Sequence, residues 1–109
     1  MRTELLSPST VTMCRRWELT LDAELLPGAA AVTPDRAEAV ARPLAWVPGV
    51  GAVAVRPHCG GRFLLVDLTV EARDLTDAVD RAAASLRRCA MDAGLGPLVL
   101  VAARHSNCG

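Results

Sequence analysis

From Arg16 to Asp22 the chain alternates without a break, Trp17, Leu19 and Leu21 apolar and Glu18, Thr20 and Asp22 polar, which is the period of a strand with one dry face. An apolar connection, Ala23 to Val32, follows and contains Pro27-Gly28. Thr33-Pro34-Asp35 then reads as a helix start: a capping hydroxyl, a proline at the first helical position and an acid in the first turn. Ala37, Val40, Ala41, Leu44 and Val47 recur behind it at helical spacing. Pro43 is expected to interrupt this helix, because it lacks a backbone donor, so that the helix is either short or kinked, with a separate turn over Leu44 to Trp46 as one form of that, before Pro48-Gly49 stops it. Val50 to Arg56 and Arg62 to Glu71 read as two strands joined through Pro57-His58-Cys59-Gly60-Gly61, where paired glycines suit a tight hairpin. Asp74 with Asp77 opens a second helix whose stripe is Leu75, Val79, Ala82, Leu86, Cys89 and Ala93, and Gly94 closes it. Pro97 to Arg104 reads as a last strand, apolar on both faces.

The order strand, helix, strand, strand, helix, strand specifies a two-layer α+β sandwich, because two right-handed crossovers and one hairpin leave few arrangements of four strands. The expected antiparallel sheet order is 4-1-3-2. Pro57 cannot donate to a ladder and so belongs on an edge, where this order places its strand. The last strand takes the other edge, and a run such as Leu98-Val99-Leu100-Val101 there is a template for pairing. A homodimer, through a sheet face or that edge, is therefore expected.

A chain of 109 residues is long enough for one core. The domain is expected over residues 16–104, between a disordered tail at 1–15 and a short C-terminal tail at 105–109; Met13 offers a second candidate start. Twelve basic and twelve acidic residues balance, so no overall field draws nucleic acid or an anionic membrane surface, and neither is expected as a partner. Every basic residue is Arg, and Lys, Ile, Gln and Tyr are absent, the habit of a high-GC bacterial genome rather than a phosphate-reading signature. Neither a leader nor a run long enough to span a bilayer is present, which points to the cytoplasm. The four cysteines then read as reduced thiols, and they form no C-x-x-C pair.

Candidate chemistry is sparse. If the helices cover the Trp17, Leu19, Leu21, Leu64, Val66 and Leu68 face, the other face presents Glu18, Thr20 and Asp22 beside Asp67, Thr69 and Glu71. Oxygen ligands so grouped could hold a hard cation; the plainer reading is a solvated acidic face balanced by Arg16, Arg62 and Arg73. Topology gathers Cys14, His105 and Cys108 at one end of the sheet, an alternative soft-metal set opposed by the plainer reading of frayed ends with free thiols. Cys89 lies on the helical stripe as a small core residue. His58 and Cys59 are neighbours on extended backbone and point apart, so no catalytic dyad is expected there. Phosphate-cradling loops, dinucleotide fingerprints and nucleophile elbows are lacking, and no cofactor is expected. The Ala23 to Thr33 connection is longer than a strand-to-helix link needs, either to fold over a ligand or to plug the end of the core.

With Pro27-Gly28 in its first loop, Val47-Pro48-Gly49-Val50 at the helix-to-strand junction and Gly61-Arg62-Phe63 opening the third strand, residues 16–104 resemble the small ferredoxin-like regulatory modules. The likeness is to ACT domains and to the effector domains of leucine-responsive transcription regulators. That resemblance implies a dimer binding a small ligand at loops near the subunit interface. It departs from the ACT pattern in having Leu25 and Leu26 where an acid usually precedes Pro-Gly. The expectation is a non-enzymatic, dimeric module binding a small molecule or a protein through Pro27, Gly28, His58, Gly60 and Gly61. The alternatives are a small enzyme of the dimeric α+β barrel type, with a pocket between facing sheets, and a metal-binding protein.

Overall fold

A computed structural model describes residues 15–106. Strand β1 (Arg15–Leu25), helix α1 (Pro34–Leu44), strands β2 (Val50–His58) and β3 (Phe63–Ala72), helix α2 (Leu75–Asp92) and strand β4 (Leu98–Ser106) follow one another. All three strand pairings are antiparallel, β1 with β3 and β4, and β2 with β3. The sheet runs β2-β3-β1-β4; read from the β4 edge the same order is 4-1-3-2. This is a small α+β fold compatible with a ferredoxin-like layout. Among the described residues no helix is long and apolar enough to cross a membrane.

Alternation in the two central strands makes the core. Leu19, Leu21, Ala23 and Leu25 of β1 and Leu64, Val66, Leu68, Val70 and Ala72 of β3 are all buried, and the register sets them side by side, Leu21 opposite Val66 and Ala23 opposite Leu64. Helix α1 adds Ala37, Val40 and Leu44. Helix α2 adds Ala78, Ala82, Ala83, Ser85, Leu86, Cys89 and Ala90. Leu75, Val79 and Ala93, expected on the stripe of α2, are only half-buried. Alanines make up four of the seven buried positions of that helix, with Leu86 the one large side chain among them, while Leu75 and Val79 flank them.

Both helices begin on side-chain caps. Thr33 Oγ1 accepts from the Arg36 N–H at 3.2 Å, and Asp74 Oδ1 accepts from the Asp77 N–H at 2.8 Å. Asp77 reaches back past the cap to accept from the Arg73 N–H at 3.2 Å, so each aspartate satisfies one backbone donor at the start of the helix. The Arg73 N–H is the largest cause holding the Asp77 carboxyl below its usual range; burial opposes it, and Arg81, 3.1 Å away, adds to the lowering. At the other end of α2, Gly94 takes φ +81°, and Leu95 N–H closes on Ala90 O at 2.9 Å, the left-handed stop that glycine makes inexpensive.

Pro43 does not interrupt α1, which runs through it to Leu44. The donor that proline lacks falls in the last turn, where Ala45 N–H still reaches Ala41 O at 3.0 Å and Trp46 N–H reaches Pro43 O at 3.1 Å. The strands are longer than the alternation suggests: β1 continues to Leu25 because Glu24 pairs with Phe63 and Leu25 with Leu98. Likewise β2 passes Pro57 to His58, and β4 runs to Ser106, so His105 lies in a strand rather than in a tail. Two bulges mark the ladders. Ala52 and Val53 together oppose Leu68, with Ala52 at φ +49°. Val101 is the extra residue where Asp22 pairs with Ala102 and Ala23 with Leu100.

The β2–β3 loop turns on Gly61, at φ +85°. A Cβ there would stand 2.8 Å from both the N and the O of Val32 and 2.9 Å from Ala31 Cβ, because the β1–α1 connection crosses directly over it.

Three outcomes follow from this framework. Gly61→Ala combines a left-handed non-glycine residue with a backbone collision and should cost about 3 kcal/mol in urea unfolding. Ala52→Gly relieves the left-handed alanine at the β2 bulge and should raise stability by up to about 1 kcal/mol; a loss would show that the methyl group packs. For Asp77, whose folded-state pKa is lowered, the stabilisation is complete above the unfolded aspartate value of about 3.9 and disappears as pH falls through the lower folded value. Urea midpoints of wild type and Asp77→Asn should therefore converge as pH drops from 6 toward 2, and a constant gap would refute the linkage.

Candidate functional site

Backbone bonds hold the β1–α1 connection against the β2–β3 loop. Leu25 N–H donates to Arg62 O at 3.0 Å, Val32 N–H to Gly61 O at 2.9 Å, and Ala29 N–H to Leu26 O at 3.1 Å within the connection. Val32 anchors it in the core, only 4 % exposed, whereas Leu26 is 42 % exposed and Pro27 to Ala31 all stand in solvent. The plug reading thus applies to Val32 alone. Residues 25–31 with Gly61 and Arg62 enclose a cleft of about 180 Å³. Its walls are apolar side chains and backbone, and Arg62 is its only charged group. Such a site offers apolar contact, main-chain hydrogen bonds and one cation, with no nucleophile, acid or base.

Pro27, Gly28 and Gly61 line this cleft together. Gly60 lies on the loop outside the lining, and His58 packs edge-on against Phe63, ring centroids 6.4 Å apart. Cys59 is exposed at φ +50°.

The open sheet face carries a second, shallower depression of about 280 Å³, lined by Glu18, Thr20, Ala52, Asp67, Thr69 and Ser106 among others. Its central carboxylate is already engaged: Asp67 accepts from Thr20 Oγ1 at 2.7 Å and pairs with Arg56 at 3.4 Å. Glu71 pairs with Arg16 at 3.5 Å. The balancing cations are therefore Arg16 and Arg56; Arg73 instead lies 4.0 Å from Asp77, and Arg62 belongs to the loop cleft. The cross-strand neighbour sets this, since Arg56 and Asp67 sit on adjacent paired strands. At the β4 bulge, Asp22 Oδ1 is shielded from solvent without a hydrogen-bond partner. Among the described residues no group of three His, Cys, Asp or Glu is placed to hold a metal ion.

Of the alternative soft-metal set, Cys14 and Cys108 lie outside the described residues. His105 is exposed on β4 and meets the Trp17 ring edge-on, centroids 6.0 Å apart. Trp17 also donates its indole N–H to Ala72 O at 3.1 Å and carries the Arg15 guanidinium 4.9 Å above its ring. Cys89 is buried in the core; burial pushes its thiol pKa up, Asp92 adds to this and Arg88 opposes it, so it stays a protonated thiol at neutral pH.

Trp46 was not apparent as a surface feature from the sequence. It is 86 % exposed, beside a groove of about 490 Å³ that Ala41, Ala45, Val53 and Val55 line between α1 and β2. The signal was its phase: the buried positions 37, 40 and 44 leave position 46 off the stripe.

No family model matches the chain, and no curated protein matches it in sequence.

Proposed function

We propose that this chain is a non-enzymatic binding module of the small ferredoxin-like regulatory kind, taking a small molecule or a protein segment at the cleft between residues 25–31 and Gly61-Arg62. One observation carries the reading: a connection with no charged side chain from Leu25 to Val32 stands largely in solvent while its backbone is pinned to the neighbouring hairpin. Apolar residues left outside the core yet held in one shape suit recognition, because little ordering entropy is lost on binding. Arg62 at the rim would favour a carboxylate-bearing ligand.

The barrel-type enzyme needs an apolar sheet face to enclose a pocket against a second copy. Here the face is centred on Glu18, Thr20, Asp67 and Thr69, polar groups that give a shared pocket no apolar wall, which disfavours that alternative.

Thermal unfolding against a panel of amino acids and other small carboxylates, with capture of partners from bacterial lysate in parallel, tests the proposal. A ligand at ten times its Kd should raise Tm by about 5 °C in a domain of this size. Leu26→Asp, at an exposed position, should abolish the shift or the capture while leaving the unliganded Tm within about 2 °C. Silence in both assays with the wild-type protein would end the reading.

A further inference from the structure

The two edges of the sheet differ in how they are protected. Edge β2 carries Pro57 and Arg56, devices that blunt an exposed ladder, and α1 packs along it. Edge β4 runs from Leu98 to Ala103 without a charge or a proline, and its only charged side chain is Arg104. Val99 and Val101 on it are 49 % and 53 % exposed. The bulge at Val101 leaves that valine near the middle of an edge that no strand among the described residues pairs.

We infer that β4 is the contact with a second copy of this chain, the two strands pairing antiparallel about a two-fold axis near Val101, so that one sheet runs through both molecules. Charge and composition select this occupant. An axis at Val101 lays Val99 against Ala103 and Leu100 against Ala102, sets each Arg104 opposite Leu98, and offsets each Arg104 from its symmetry mate by about six residues, roughly 20 Å along the strand. Nothing repels, and no acidic residue on β4 calls for a basic partner instead. Area sets the strength. A nine-residue strand spans about 30 Å, and at a sheet thickness of about 10 Å the edge covers on the order of 300 Å² per copy. That is well below the roughly 800 Å² per partner of a standard stable interface, so the dimer is weak and concentration-dependent. The contact is separate from the loop cleft and stands or falls independently of it.

Sedimentation velocity of the wild-type chain from about 1 to 200 µM, a range chosen to bracket a weak interface, should show the mass rising from monomer toward dimer. Val101→Lys and Val99→Lys, each at an exposed position, should remain monomeric throughout with unchanged circular dichroism, whereas Leu26→Asp should dimerise as wild type. Hydrogen exchange of the unmodified chain gives a reading free of any folding defect: amides of Leu98–Ser106 should slow as concentration rises. A wild-type monomer at the top of the range, dimerisation undiminished in both lysine variants, or concentration-dependent protection in Val50–His58 instead of β4 would overturn the inference.

Discussion

The β1–β3 ladder is the interaction on which the rest of the structure depends. Its antiparallel register places Leu19 against Leu68, Leu21 against Val66 and Ala23 against Leu64, so one face of two adjacent strands becomes a continuous apolar surface. Helix α2 packs on that surface and α1 lies beside it over β2, and each outer strand takes its position by pairing with one member of the ladder. A slip of one residue would turn every buried side chain into water and every carboxylate into the core. The same register also lines up Thr20 with Asp67 and Arg16 with Glu71 on the wet face, where a hydrogen bond and an ion pair form between strands.

On the wet face Asp67 and Glu71 are engaged across strands, whereas the loop cleft lies where secondary structure ends. The connection after β1 must leave the sheet and cross the β2–β3 loop before α1 can begin, and Gly61 permits the crossing because no other residue fits under Val32. That contact converts a run of small apolar residues into a fixed rim. Trp46 emerges for a related reason: the tight turns after Leu44 rotate the chain away from the core, and the indole is carried outward with it.

Much of the framework was legible because it rests on local chemistry. Strict alternation from Trp17 to Asp22, the Thr33-Pro34-Asp35 start, the Asp74 and Asp77 pair and the Gly94 stop each state a local preference that the fold keeps. Local preference is a poorer guide where an element is already ending or where a distant partner decides. Pro43 looks like a break in isolation, yet its missing donor falls in a turn that was already ending. His105 looks like part of a tail, yet pairing of β4 with Leu19 draws it into the sheet. Arg62 and Arg73 are closer in sequence to the acidic positions than Arg56 is, but cross-strand register selects Arg56 as the partner of Asp67.

By itself, then, the sequence determined the kind and order of the elements and which face of each strand is dry, since periodicity and capping act over a few residues. Tertiary structure alone decided which arginine meets which carboxylate, how far each strand extends, and that Pro27, Gly28 and Gly61 share one cleft while His58 and Gly60 do not. Those outcomes depend on register and on the approach of segments some thirty residues apart, distances over which local preference carries no information.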